Sequence, residues 1–600
     1  MSNTISSQFP LCRHPSGGDV TQLEGYDEFI QDAMASWHCP GVAVAVIKGD
    51  EILHQNAYGF LDVEEQLPVT VQTRFAMASV TKSFTAMSVA LLVDDGKLEW
   101  DKPVKKYMPE FILDDPYVTQ HVTLRDMLSH RTGMPRHDLS AWRLDLSRAE
   151  FVRRMRHLKF SATFREKFQY NNLMYCAAAY LVEKIAEQRW EDFVQERIFS
   201  PLGMDATNFE PEFPQAALMN AKGYRTDHDE EGRVRGLIHM PFGRHTEVSP
   251  GASGALFSTL ADLTHWLKAH VNAGQSGDVR LISANNLKQM HLPQTIIPGG
   301  GLHESLHGTT IATYGMGWFI QPYRGHTLIQ HGGNVEGHSL IIGFIPQEKI
   351  GVIALTNIAG MPLRDVLLYE GMDRALNLPD RNWNTRYHKV WDPLIAARAK
   401  AKNTSAAERL EEAVATHSLE TYAGTYEADG YPGFTVRFED GALSAWTVGS
   451  LAPSSLRHYH YNIFEWHLAD FDFWMKIHFM INDNGEINAV SIPIEPTVEN
   501  VLFTRKAVEL SAHDIAALVG EYEPPVEGLT ITINAREGKV YYVQAGDVPK
   551  WITPYKVTED VIGFRMERTR LEFVRENGTI THLISKSPFS TLESPRKKSK

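Results

Sequence analysis

The stretch Phe75-Ala-Met-Ala-Ser79-Val-Thr-Lys82-Ser-Phe-Thr-Ala-Met-Ser-Val-Ala-Leu-Leu-Val-Asp-Asp-Gly96 decides how the rest of the chain is read. Apolar residues Phe84, Met87, Val89, Ala90 and Leu91 mark a helix core face, and Gly96 stands where a helix C-cap belongs. The spacing predicts a helix opened by Ser79. Ser79 and Lys82 are three positions apart, so they lie on one helix face. A serine hydroxyl is a weak nucleophile until a base takes its proton. A lysine is such a base when desolvation or a neighbouring cation lowers its pKa. The positive end of the helix favours the negative charge that develops beside the serine. In isolation the pair also fits an N-cap serine and a solvated lysine, and Ser594 and Lys597 repeat the spacing in the tail.

Two further stretches supply partners. Lys167-Phe-Gln-Tyr170-Asn171-Asn172 opens a second amphipathic run, from Leu173 to Ile185, with Tyr-x-Asn at its start. A phenol near an ammonium exists partly as phenolate and accepts a proton. The amide two residues on donates to a bound carbonyl or to the lysine's surroundings. Leu328-Ile-Gln-His331-Gly332-Gly333-Asn334-Val-Glu-Gly337-His338-Ser339 lies between strand-like runs. Its glycines let backbone come close to a ligand and offer N–H groups to an oxyanion. Taken singly, the first is also a tyrosine packed beneath a helix start, and the second a tight turn.

The order Ser-x-x-Lys, Tyr-x-Asn, His-x-Gly, with 91 residues from Ser79 to Tyr170 and 161 from Tyr170 to His331, resembles the serine β-lactamase and penicillin-binding-protein superfamily. It is most similar to the class C-like esterase and D-aminopeptidase branch. The flanks agree over residues 25–375: Thr123-Leu-Arg-Asp-Met-Leu-Ser-His-Arg-Thr-Gly133-Met-Pro, Ile198-Phe-Ser-Pro-Leu-Gly203-Met-Asp-Ala-Thr207, Pro250-Gly-Ala-Ser-Gly-Ala-Leu-Phe-Ser258, Tyr314-Gly-Met-Gly-Trp318 and Gly351-Val-Ile-Ala-Leu-Thr-Asn357. The resemblance implies an α/β (α+β) sandwich with an all-helical subdomain. It implies Ser79 as the acylated nucleophile and Lys82 as the group that takes or relays its proton. Tyr170 would be general base in acylation and acid toward the leaving group. Asn172 would bond the substrate amide or Lys82. The backbone N–H groups of Ser79 and Asn334, the latter following His331-Gly332-Gly333, would form the oxyanion hole.

His331 stands where β-lactamases carry the Lys of Lys-Thr-Gly. A lysine there is charged and suits a carboxylate, whereas histidine is mostly neutral at pH 7. The expectation is a serine hydrolase without cofactor or metal, acting on a small molecule or peptide with an amide or ester, and a poor β-lactamase. The same acyl-enzyme would serve an acyltransferase or peptide cyclase. A non-catalytic binding or filament-forming member is the third reading.

Outward from the motifs, Gly25–Trp37 reads as a helix stopped by Cys39-Pro40-Gly41. Val42–Ile47 and Ile52–His54 read as a hairpin. Helical patterns run from about residue 80 to 240, and strands return at 311–320, 339–344 and 350–357. After a polar, Ala-rich connector, short strands separated by Asp440-Gly441, Glu537-Gly538 and Asn577-Gly578 indicate an antiparallel barrel or sandwich. This part resembles the lipocalin-like barrel appended to some D-aminopeptidases and peptide cyclases. Leu419-x-x-Tyr422-x-Gly424-x-Tyr426-Glu427 returns 96 residues later as Ile515-x-x-Leu518-x-Gly520-x-Tyr522-Glu523. The echo fits two halves of one barrel or two sheet units. The expected division is a loose arm over 1–20, a catalytic body over 21–380, a connector over 381–416 and the lipocalin-like barrel over 417–600.

The composition narrows the function classes. Of 600 residues 22% are charged, the net charge is −14, and the one basic block is Arg596–Lys600. That argues against nucleic-acid and anionic-membrane partners. Cys12, Cys39 and Cys176 cannot make a disulfide framework, and the first 18 residues show no charged start followed by an apolar stretch. A soluble cytoplasmic protein is expected, with homo-oligomerisation left open. The 26 histidines form no His-Glu-x-x-His, and no Walker A or dinucleotide glycine pattern stands out.

Overall fold

The structure is a computed structural model. It describes residues 11–12, 23–141, 146–209, 220–229, 231–241, 251–299, 302–407 and 409–597. Within the last range residues 411, 448–452, 469–472, 484, 507, 545, 558–559, 567–568 and 588 are excepted. The arm expected over 1–20 lies outside these residues apart from Leu11–Cys12. Those two form a strand pairing with Tyr58 and Ala57.

The run Val42-Ala-Val-Ala-Val-Ile47 sits in the strand Gly41–Lys48, and its alternation explains the layering. Side chains on a strand point to opposite faces in turn. Val42, Val44 and Val46 enter one core with the helices Tyr26–Ser36 and Leu363–Ala375. Ala43, Ala45 and Ile47 enter another, shared with the helical body. The sheet is antiparallel, in the order Leu11–Cys12, Glu51–Asp62, Gly41–Lys48, Ile350–Thr356, His338–Ile345, His326–Val335, Phe319–Tyr323, Ile311–Tyr314, Thr295–Pro298. Both faces are covered, which is why these strands read as continuous apolar runs rather than alternating ones. The helices between residues 81 and 290 build the body on one face. Among them are Thr81–Asp94, Leu173–Ala186 and Leu260–Val271. The α/β architecture with a helical subdomain is thus as expected. The strands Gly223–His228 and Val234–Met240 pair antiparallel.

The connector is the helix Trp383–Ala407, tied at its start by the Trp383 indole N–H donating to Asp373 Oδ2 (2.8 Å). Beyond it the structure resolves the 96-residue echo as two sheet units, not one barrel over 417–600. Eight strands from Gly424–Glu427 to Val501–Arg505 form a closed antiparallel barrel, the first pairing the last through Tyr426↔Arg505. Eight more, from Gly520–Tyr522 to Thr591–Pro595, follow in sequence order. Their ends are joined by Glu523 N–H to Pro595 O (2.9 Å) and Lys597 N–H to Glu521 O (2.8 Å). Tyr422, Tyr426, Phe434, Phe464, Phe479 and Phe503 fill the first barrel. Tyr461, Phe473 and Trp474 lie on its outside instead. Among the described residues no helix is long and apolar enough to cross a membrane.

Candidate active site

Ser79 sits in a short 3-10 turn, Ala78–Val80, that leads into the helix Thr81–Asp94. The residue before it is held at φ +43°, which a non-glycine residue adopts only when its surroundings impose it. Met77 N–H donates to Leu256 O (2.7 Å), and Thr81 Oγ1 donates to Ala78 O (2.6 Å). These bonds fix the turn. The helix ends at Asp94 with Gly96 at φ +70°, as its position predicts.

One helical turn on, Lys82 is fully buried. Its Nζ donates to Ser79 Oγ (3.1 Å) and to Ser253 O (2.8 Å). The rings of Tyr170 and Tyr175 lie 4.9 and 5.6 Å from the same nitrogen. Burial, helped by the charge of Arg136, pushes the Lys82 ammonium down to about 7. Tyr170 stands beside Ser79 and Lys82, with the Arg136 guanidinium 5.0 Å from its ring centre. Burial raises the Tyr170 phenol well above its ordinary 10, against the lowering pull of Ser79 and Arg136. The phenolate expected for Tyr170 is therefore disfavoured. Lys82 is the group whose neutral form is accessible near pH 7.

Asn172 reaches neither Lys82 nor Ser79. Its Nδ2 donates to Asp138 Oδ1 (2.8 Å), while its buried Oδ1 has no hydrogen-bond partner. Asn171 holds the start of the helix Leu173–Ala186. Its Oδ1 accepts from Met174 N–H (2.9 Å), and its own N–H donates to His130 Nδ1 (3.0 Å). That bond leaves the His130 proton on Nε2, inside a wall formed by Phe168, Tyr170, Tyr175 and Tyr314.

The strand His326–Val335 brings His331, Gly333 and Asn334 to the same place. A Cβ on Gly333 would lie 2.5 Å from Met77 O and 3.1 Å from Ser79 N, so glycine is required for this approach. Asn334, the next residue, is exposed, and its Oδ1 accepts from the Ser339 hydroxyl. His331 is buried. Its Nδ1 donates to Gly332 O (2.7 Å), which leaves Nε2 to accept from the Tyr314 hydroxyl (3.0 Å). Burial and the nearby Lys82 charge push its imidazolium down to about 3. The position therefore carries no charge at neutral pH.

Sequence reasoning missed Arg136, Asp138, His130, Ser253 and Tyr314 as parts of this site. All but Arg136 and Asp138 stand inside the flanking motifs quoted above, which marked them as structural. Nothing local showed that they meet Lys82 or Tyr170.

Geometry and comparison agree on the class. The family model described as Beta-lactamase matches residues 26–375, more than half of the chain, and the protein belongs to that family. A second, described as Domain of unknown function (DUF3471), matches residues 408–503, which is the first barrel and the end of the connector. The chain is 31% identical over 400 residues to Unguisins hydrolase ungD' of Aspergillus campestris, covering 64% of this chain and 71% of that protein. To Unguisins hydrolase ungD of Aspergillus violaceofuscus it is 29% identical over 469 residues, covering 71% and 79%. The octameric penicillin-binding protein homologue from Pyrococcus abyssi superposes with a TM-score of 0.52 at 25% identity, over 81% of this chain and 100% of that one.

Proposed function

We propose that the protein is a serine hydrolase that cleaves an amide or ester through an acyl-enzyme on Ser79. The observation that carries this reading is the 3.1 Å contact from the buried Lys82 Nζ to Ser79 Oγ. In the reactive form Lys82 is neutral and takes the Ser79 proton as Oγ bonds the substrate carbonyl carbon. The oxyanion that results lies between the backbone N–H groups of Ser79 and Asn334. Tyr170, protonated and beside Lys82, passes its proton to the leaving group and is reprotonated from Lys82. The arriving water repeats the sequence in reverse. Asn172 Oδ1, an acceptor without a partner, suits a substrate N–H. The neutral, Tyr314-capped His331 offers no cation for a β-lactam carboxylate. Two relatives bear the name hydrolase, which favours water over an amine as the acceptor.

A fluorophosphonate should label the wild-type protein on Ser79 and leave Ser79→Ala unlabelled. Label retained by Ser79→Ala overturns the assignment. The labelling rate should climb as pH rises through about 7, because the neutral fraction of Lys82 grows there. With p-nitrophenyl esters and D- and L-aminoacyl anilides turnover should exceed that with nitrocefin.

A further inference from the structure

The first barrel meets the helical body at the loop that forms one wall of the site. His137 is buried there at φ +47°. Its Nε2 donates to Lys159 O (2.8 Å), so its Nδ1 accepts from the Tyr431 hydroxyl (2.5 Å). Its backbone N–H donates to Glu495 Oε2 (3.2 Å). Tyr431 and Glu495 belong to the barrel and lie 294 and 358 residues further along the chain. The other oxygen of Glu495 accepts from Thr497 Oγ1 (2.7 Å), and Thr497 meets Ser161 Oγ (3.1 Å). Ser161 in turn accepts from Gln169 Nε2 (2.6 Å), the neighbour of Tyr170.

The residues on either side of His137 reach the reacting groups. Arg136 lies over the Tyr170 ring, and its Nε donates to Asp138 Oδ2 (2.7 Å). Asp138 accepts from Asn172. A left-handed histidine is strained unless its partners hold it, and here two of those partners, Tyr431 and Glu495, come from the barrel.

We propose that the first barrel is a working part of the active site, in which Tyr431 and Glu495 are positioning residues that hold Arg136 and Asp138 against Tyr170 and Asn172. This rests on the reading of Ser79 and Lys82 given above. Besides Arg136, the groups facing Lys82 are Asp138, Tyr170, Tyr175, Cys176, His130 and His331. Only Arg136 and Asp138 belong to the loop that the barrel holds. Arg136 opposes the Lys82 charge more than Asp138 supports it, so release of the loop raises the Lys82 pKa.

The test is the pH dependence of Ser79 labelling by a fluorophosphonate in the full-length protein. Tyr431→Phe and Glu495→Ala should each move the midpoint of the profile upward and slow labelling at pH 7 by about tenfold. Glu495→Gln keeps an acceptor for the His137 N–H and should stay near wild type. An unmoved midpoint in both Tyr431→Phe and Glu495→Ala overturns the proposal, whatever their melting temperatures. If the wild type resists labelling, the Ser79 reading is what fails. Hydrogen exchange over residues 133–141 then judges the barrel's role: faster exchange in the two variants supports it, and wild-type rates overturn it.

Discussion

Arg505 in the first barrel and Arg596 in the second occupy the same place in the same device. Arg505 packs on Gly424 and donates to Ala423 O and Ile487 O, while Arg596 packs on Gly520 and donates to Val519 O and Ile580 O. In each, a buried tyrosine hydroxyl donates to the carbonyl four residues back, Tyr426 to Tyr422 (2.8 Å) and Tyr522 to Leu518 (2.9 Å). The two barrels differ in what surrounds them. Buried apolar residues of the first are continuous with those of the helical body, whereas the second has a core of its own. Between the barrels lies a crevice of about 870 Å³ lined by polar residues including His417, Glu420, Lys506 and Arg570. There Glu486 is held by Arg565 (2.6 Å) and Arg570 (3.7 Å). The same unit is thus used once fused to the core of the helical body and once with a core of its own.

The largest effect should come from separating the two. Ending the chain after Lys506 removes the second barrel and exposes Glu486 to water, where a carboxylate is readily solvated. Ser79 labelling should be unchanged. Ending it after Ala407 also strips the cover from Leu158, against which Gly430 packs, and frees His137 from Tyr431 and Glu495. Labelling should then fall by about a hundredfold, with aggregation from the uncovered apolar face. Equal behaviour of the two truncations would break the comparison.

A smaller effect sharpens it. A Cβ on Gly424 would meet Arg505 Nε at 2.6 Å, and one on Gly520 would meet Arg596 Nε at 3.1 Å. Both glycines share a backbone geometry, so the difference isolates the clash. Gly424→Ala should cost about 1–3 kcal/mol and lower the melting transition that carries Ser79 labelling. Gly520→Ala should cost less and affect a separate transition. Differential scanning calorimetry alongside labelling after heating reads both.

How much of this was legible in the sequence follows the range of the forces involved. Ser79 and Lys82 were found because helix periodicity is local, and Tyr170 and His331 because motif order is kept along the chain. The protonation order of Lys82 and Tyr170 was not legible, because it depends on how completely each is buried. Nor was the contact of His137 with Tyr431, which needs a left-handed histidine and a partner from another domain. The echo was visible in Gly424 and Gly520, but its arginines were hidden. Arg505 follows Gly424 by 81 residues, while Arg596 follows Gly520 by 76. Unequal loops blur a repeat that strand pairing preserves. Lys597, whose Ser594-x-x-Lys597 spacing copies the candidate site, pairs with Glu521 and Glu523 at the seam of the second barrel. Spacing alone could not tell the two apart; the buried surroundings of Lys82 do.

The smallest predicted effect asks whether the two latches are energetically alike. Tyr426→Phe and Tyr522→Phe each delete one buried hydroxyl that donates to a carbonyl at nearly the same distance. Each should cost about 1 kcal/mol, the usual net value of a hydrogen bond whose acceptor is left behind. The costs should match, yet be read in different places. Tyr426→Phe should lower the transition of the helical body, because its barrel shares that core. Tyr522→Phe should lower only that of the appended barrel. Chemical denaturation followed by Ser79 labelling for the first, and by proteolysis between residues 506 and 511 for the second, separates them. A common shift of one transition by both variants would mean that the second barrel unfolds with the body, so that the polar crevice couples the two as firmly as a shared apolar core.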